Sequence, residues 1–266
     1  MSEASLPEPS IPEPSISSIQ ELAGPPGAPV LVLGNSLGTS RACWEPQLAA
    51  LTRRYRVLRH EHPGHGGAPA GPGPYRIADL AGGVLARMDA LGIGRAAYCG
   101  VSLGGMVGIW LAAHAPDRIS ALGLSCTSAY MPPADGWTGR AAAVRADGTP
   151  SIAGLVVSRW FTPAFAAAHP EVPAAFVAGL AATDDEGYAG CCEAIAAMDL
   201  RPVLAAITAP TLVIAGAEDP SAPPWHGAVI ASGIAGSRLR VIRGAAHLAN
   251  VSAAAEVTAL LLAHLP

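Results

Sequence analysis

Lysine is missing altogether, so all 16 basic residues of this chain are arginine. With no side-chain amine available, Schiff-base mechanisms, including those of pyridoxal phosphate, are excluded. Charge is sparse as well: charged residues make up 14% of the chain and the formal net charge is -4. A nucleic-acid surface needs clustered positive charge, which this composition does not supply. Long hydrophobic runs are also lacking, since Gly, Arg or Pro interrupts each apolar stretch within about ten residues, well short of a membrane span. Cysteine is scarce and odd in number. Cys43, Cys99, Cys126, Cys191 and Cys192 show neither C-x-x-C spacing nor a secreted disulfide pattern, so the expectation is free thiols in a reducing cytoplasm. Residues 1–15, rich in Pro, Glu and Ser, have no basic start or apolar stretch, and read as a disordered tail rather than a signal peptide.

What is present suits a single α/β unit: 266 residues with 51% hydrophobic content can bury one large core. Short apolar runs alternate with helical-period segments, the pattern of a parallel sheet with crossover helices. The predicted strands are Val30 to Leu33, Tyr55 to His60, Ala96 to Val101, Ile119 to Cys126, Thr211 to Ala215 and Leu239 to Ile242. They read as apolar throughout, as expected when helices cover both faces. Ile77, Leu80, Ala81, Val84, Leu85, Met88 and Leu91 recur at helical spacing and predict an amphipathic helix ending near Gly92. Across residues 129–202 the strand rhythm disappears and Ala-rich helical stretches are punctuated by Gly and Pro. There, Thr183 and Glu186 have capping-box spacing before a helix from Gly187 to Met198. The sheet pattern then resumes. The expected organisation is a core of residues 16–128 and 203–266, with residues 129–202 inserted as a helical cap that walls a substrate pocket.

The strongest chemical signal is Gly100-Val101-Ser102-Leu103-Gly104, placed where a predicted strand meets a predicted helix. Alone, a Gly-x-Ser-x-Gly match is weak in a chain with 30 glycines. The strand-turn-helix context raises it, because a sharp turn there lifts the serine oxygen above the sheet edge. A serine hydroxyl needs a base to become a nucleophile, and the base needs a carboxylate to hold it. Asp219 and His247 each follow a later predicted strand, in the order Ser, Asp, His, on the same sheet edge as Ser102. Glu218 is the rival carboxylate, but Pro220 behind Asp219 fixes that turn and favours Asp219. His60, His62 and His65 cluster after an earlier strand. No carboxylate or thiolate completes a metal site at ligand spacing, so the Gly64-His65-Gly66 turn reads as structural. His114, His169, His226 and His264 read as surface or packing residues. One oxyanion donor is expected from the Leu103 N–H at the helix start, the other from the glycine-bearing loop Gly34-Asn35-Ser36-Leu37-Gly38.

These residues resemble the 3-oxoadipate enol-lactonases, α/β-hydrolases of the β-ketoadipate route of aromatic catabolism. The likeness lies in Leu33 to Thr39, Cys99 to Val107, Leu111 to Pro116, Arg159-Trp160-Phe161-Thr162-Pro163 and Glu186-Gly187-Tyr188-Ala189-Gly190-Cys191-Cys192. The elbow and strand motifs specify only the superfamily, whereas the cap stretches point to the lactonases. Two places depart from the pattern. Glu61-His62-Pro63 stands where the family usually has Asp-x-Arg, and Ser252-Ala253-Ala254-Ala255 replaces a Glu-Gln-Pro stretch.

The resemblance implies an α/β-hydrolase fold with a cap, a Ser102–His247–Asp219 triad, and an acyl-enzyme route from the enol-lactone to 3-oxoadipate without metal or organic cofactor. Counting back from Trp44 by the spacing seen in relatives selects Leu37, rather than its neighbour Ser36, as the second oxyanion donor. The implied partner is a small lactone or ester carrying a free carboxylate. Arginine is the one permanent cation available, so Arg140, Arg145 and Arg159, close in sequence to Trp137 and Trp160, are the expected substrate-binding residues of the cap. The alternatives in the same fold are a general carboxylesterase or a carbon-carbon bond hydrolase. A catalytically inactive ligand receptor is the non-enzyme alternative, against which the intact triad stands.

Overall fold

Apolar runs with no polar alternation can be buried on both faces, and that is how they are used here. In the computed structural model, which describes residues 22–266, all six predicted runs are strands. They are β1 (Val30–Gly34), β2 (Arg56–His60), β3 (Ala96–Val101), β4 (Ile119–Ser125), β5 (Thr211–Gly216) and β6 (Arg238–Ile242). The expected tail of residues 1–15 lies outside the described residues. The strands form one sheet in the order β2-β1-β3-β4-β5-β6, and every pairing is parallel. The direction of winding reverses between β1 and β3, so the carboxyl ends of these strands flank a crevice, the usual ligand site of open α/β sheets.

Every residue of β3 and β5 is buried, so both faces of the central sheet are covered. The expectation of fully apolar strands fails at the edges. β6 leaves Arg238, Arg240 and Val241 exposed, and β2 is only half-buried at Arg56, Arg59 and His60. An edge strand has one neighbour instead of two, and its charged side chains turn outward to water.

The helices of the core are α1 (Glu45–Leu51), α2 (Ile77–Ala90) and α3 (Leu103–His114) before β4. Five more lie between β4 and β5: α4 (Ala134–Asp147), α5 (Pro150–Val157), α6 (Pro163–Ala168), α7 (Glu171–Ala181) and α8 (Asp185–Ala197). The chain ends with α9 (Pro224–Gly233), α10 (Ala249–Ser252) and α11 (Ala254–His264). The predicted helix before β3 is present as α2, burying Ile77, Leu80, Ala81, Val84 and Met88.

The helix predicted from Gly187 starts two residues earlier, at Asp185, and its cap is not the Thr183 of the Thr183–Glu186 spacing. Its N-cap is Asp184, whose carboxylate accepts the Gly187 N–H at 2.8 Å. Thr183 instead donates its hydroxyl to the Gly179 carbonyl at 3.3 Å. Aspartate caps as well as threonine does, and its negative charge also suits the helix N-terminus. Gly187 then packs against Gly64: a Cβ on either would come within 2.8 Å of the other's Cα. α8 is thus docked directly on the turn that follows β2.

Candidate active site

The turn at Ser102 is built from close backbone approaches. Ser102 adopts φ 54° and ψ -114°, a left-handed conformation costly for a residue with a Cβ. A Cβ on Gly100 would lie 2.2 Å from the Gly104 carbonyl group, and one on Gly104 would lie 2.5 Å from the Gly34 carbonyl group. Only glycine at both positions lets β3 and α3 meet this tightly beside β1. The turn is then pinned: the Ser102 N–H donates to the Ser125 carbonyl at 2.9 Å, and the Thr127 hydroxyl donates to the Ser102 carbonyl at 2.6 Å.

Asp219 and His247 meet as the loops after β5 and β6 converge. His247 Nδ1 lies 2.8 Å from Asp219 Oδ2, and both side chains are buried. The other carboxylate oxygen of Asp219 accepts the N–H groups of Ser221 at 2.8 Å and Ala222 at 2.9 Å. Burial raises the Asp219 pKa, but the nearby His247 and these hydrogen bonds outweigh it, so the carboxyl is held below its ordinary value. Asp219 therefore stays an acceptor, and the proton between the two rests on Nδ1. The rival Glu218 is exposed.

Ser102 and His247 line one cavity of about 230 Å³ together with Ser36 and Leu37. Some backbone donors of the two loops beside it are already engaged. Gly38 N–H donates to His65 Nε2 and Gly104 N–H to the Asn35 carbonyl, both at 2.9 Å. The N–H groups of Leu37 and Leu103 have no such partner among the described residues. Leu103 opens α3, where the helix dipole adds positive potential.

The opposite wall comes from the cap. Trp137, Arg140, Arg159 and Trp160 line the cavity, and the Arg140 guanidinium lies over the Trp137 ring at 4.6 Å. Arg145 does not line it. That side chain is held by Glu186 and Glu193, with nitrogen–oxygen distances from 2.6 to 2.9 Å, and so ties α4 to α8. Four of the five cap residues expected at the substrate are thus in the pocket and one is a cross-link. Sequence reasoning missed Tyr188, which sits fully buried against the cavity with its hydroxyl beside the Arg140 guanidinium. Its place in the cap motif Glu186 to Cys192 was the available signal. His226, expected to be a packing residue, is buried and lies 2.6 Å by Nδ1 from Ser128 Oγ.

Among the described residues no cluster of His, Cys, Asp or Glu could hold a metal ion. His60, His62 and His65 are neighbours, with ring centroids about 6 Å apart; His62 and His65 are buried, His60 is half-buried, and the three share no ligand geometry. All five cysteines are free and buried, and no helix among the described residues is long and apolar enough to cross a membrane.

A parallel sheet with a strained serine turn and a buried His–Asp pair at one edge defines the class. The alpha/beta hydrolase fold family matches residues 29–254, and the chain belongs to that family. Within it, the chain is 41% identical over 223 residues to 3-oxoadipate enol-lactonase 2 of Acinetobacter baylyi, spanning 84% of this chain and 83% of that protein. Among solved structures, the enol-lactonase from Burkholderia xenovorans LB400 superposes with a TM-score of 0.89 at 42% identity, covering 91% of this chain and 94% of that one. A hydrolase from Pseudomonas aeruginosa PA01 superposes at 0.88 with 45% identity and 91% coverage of each chain. The resemblance drawn from the elbow and cap motifs is borne out by these relatives.

Proposed function

We propose that this protein hydrolyses 3-oxoadipate enol-lactone to 3-oxoadipate, a step of aromatic catabolism by the β-ketoadipate route, with Ser102, His247 and Asp219 as its triad. The observation that carries this reading is the 2.8 Å His247–Asp219 contact at the edge of a cavity that Ser102 also lines. Lactone as the substrate is supported by the enol-lactonase relatives and by arginines in the wall facing the serine.

The chemistry runs as follows. Ser102 Oγ attacks the lactone carbonyl carbon while His247 Nε2 takes the hydroxyl proton, and Asp219 steadies the imidazolium so formed. The negative charge that develops on the carbonyl oxygen is met by the N–H groups of Leu37 and Leu103. The ring C–O bond breaks, His247 returns the proton to the departing enol oxygen, and the enol tautomerises to the ketone. Water, deprotonated by His247, then attacks the acyl–Ser102 carbonyl; as the ester C–O bond breaks His247 returns that proton to Ser102 Oγ, and the second carboxylate is freed. No step calls for a metal or organic cofactor. Arg140 and Arg159, with Trp137 and Trp160, bind the substrate's free carboxylate and the ring beside it. The free thiols support a reducing cytoplasmic setting.

The direct test is a spectrophotometric assay with the muconolactone-derived enol-lactone, run beside an aryl acetate. Wild-type protein turns over the lactone with the higher kcat/KM, and Ser102→Ala loses at least about 1,000-fold. A higher kcat/KM for the acetate would make the protein a general carboxylesterase instead.

A further inference from the structure

The turn after β2 touches both the cap and the oxyanion loop. Its His65 is fully buried and has a settled tautomer: Nδ1 lies 2.8 Å from the Pro63 carbonyl, which can only accept, so Nδ1 carries the proton. Nε2 is then an acceptor, and it takes the Gly38 N–H at 2.9 Å. His62 Nε2 lies 2.9 Å from the Asn35 carbonyl, again an acceptor, so here the proton sits on Nε2. That same Asn35 carbonyl accepts the Gly104 N–H at 2.9 Å. One carbonyl oxygen therefore registers the loop after β1 against the start of α3, and a histidine holds that oxygen in place.

Resting on the proposed hydrolase reading, we infer that His65 and His62 are positioning residues that set the two-donor geometry for the oxyanion, His65 through Gly38 and His62 through Asn35. Leu37 lies between the two anchored residues, Asn35 and Gly38, in a loop too short to turn its peptide independently. With Gly38 N–H drawn to His65, the Leu37 N–H is left for the cavity. The Asn35 side chain is fixed as well, donating to Glu61 Oε2 at 2.6 Å, while Glu61 Oε1 accepts the Arg41 N–H at 2.9 Å. The departure Glu61-His62-Pro63 from the lactonase pattern is thus not idle sequence. Each of its residues supplies a hydrogen bond to this frame, Pro63 through its carbonyl.

The frame also connects to the cap. Tyr188 of α8 stacks on the His65 ring, with centroids 6.4 Å apart and planes 20° apart, and Asp184 N–H donates to the Gly64 carbonyl at 3.0 Å. Both histidines are buried and neutral in consequence: burial holds His62 down to about 3 and His65 to about 4. A neutral ring is what the arrangement requires, because a protonated His65 would have no lone pair for Gly38.

The test compares His65→Leu, which removes the acceptor, with His65→Gln, which restores one near the Nε2 position. Aryl acetate hydrolysis and the affinity of a boronic acid that forms a tetrahedral adduct on Ser102 are measured for each. The expected result for His65→Leu is a kcat lower by about 10- to 100-fold with KM within about twofold, and boronate affinity weakened in step with kcat/KM. His65→Gln recovers most of both. An unchanged kcat, or a loss carried in KM with boronate affinity intact, overturns the inference. Should His65→Leu not fold, the wild-type protein still decides: NMR shows a coupling across the hydrogen bond from the Gly38 amide nitrogen to an unprotonated His65 Nε2, and its absence overturns the frame. Failure of the wild type to open the enol-lactone would count against the substrate, while these ester and boronate readouts would still judge the positioning role.

Discussion

Ser102 carries an energetic cost in its backbone. A non-glycine residue at φ 54° stores roughly 1–3 kcal/mol of backbone strain, whereas glycine there would give back about 0.5–1 kcal/mol in unfolded-state entropy. The strain outweighs the entropy. Ser102→Gly should therefore be inactive yet more stable by about 1 kcal/mol, which thermal unfolding can read; a lower midpoint would show that the turn is relaxed. At the same scale, the cap arginines separate by their partners. Arg140, in the cavity wall, is expected to give a KM for the enol-lactone raised at least about fivefold in Arg140→Gln with kcat little changed. Arg145→Gln should leave KM alone, because that side chain is already engaged by Glu186 and Glu193. Steady-state kinetics of the two variants checks both, and equal KM effects would refute the assignment. The sequence favoured Asp219 over Glu218 because a proline follows it, and Asp219 is the carboxylate that meets His247. Distinguishing Arg145 from Arg140 needed the positions of two glutamates 41 and 48 residues away.

Elements differ in what their glycines do. In α2, Gly82 faces open space, with no atom within 4 Å of an added Cβ. Gly82→Ala should then stabilise the protein by roughly 0.5–1 kcal/mol through helix propensity and unfolded-state entropy. In α3, Gly104 meets the Gly34 backbone, which cannot swing aside as a side chain could. Gly104→Ala is expected to cost about 3 kcal/mol or more and to abolish activity by prising α3 from β1. Urea unfolding of both variants tests the pair; an unstable Gly82→Ala or a tolerant Gly104→Ala would contradict it. Strands were legible because burial on both faces writes a continuous apolar run. Their exposed edges, and the start of α8 at Asp185 instead of Gly187, were not, since neighbours in the sheet and the choice among adjacent capping residues are set in three dimensions.

The whole molecule carries a pH dependence that follows from burial. His60, His62 and His65 are held neutral, at about 3, 3 and 4, chiefly by desolvation. Their folded values are depressed below the ordinary 6.5, so the unfolded chain binds more protons between about 4 and 6.5, and stability falls as pH falls through that window. Asp219, lowered from its usual value, adds a loss at still lower pH. Glu61 acts the other way: burial raises it to about 7, so its contribution is greatest in acid and fades as pH rises through 7. His226 and His264 are lowered as well, so five depressed histidines stand against one raised glutamate and stability falls from pH 7 toward pH 5. Denaturant unfolding at pH 7 and pH 5 measures it, and equal stability at the two would mean the histidines are not held neutral.

The sequence by itself determined the class of the protein. A parallel sheet follows from apolar runs alternating with helical segments, and the expectation of a serine hydrolase from Ser102, Asp219 and His247 each coming just after a strand. These are local properties, since strand period, turn glycines and chain order are all written along the chain. Tertiary structure decided which groups share a cavity. It separated Arg140 from Arg145, buried Asp219 while exposing Glu218, brought Tyr188 to the pocket and the turn at His65 to the oxyanion loop. The physical reason is that hydrogen bonds and ion pairs act over about 3 Å in space, whereas here they join residues 20, 27, 48 or 98 positions apart. For Ser102, a turn common to many proteins is set apart once the surrounding loops bring His247 and Leu37 to the cavity that it lines.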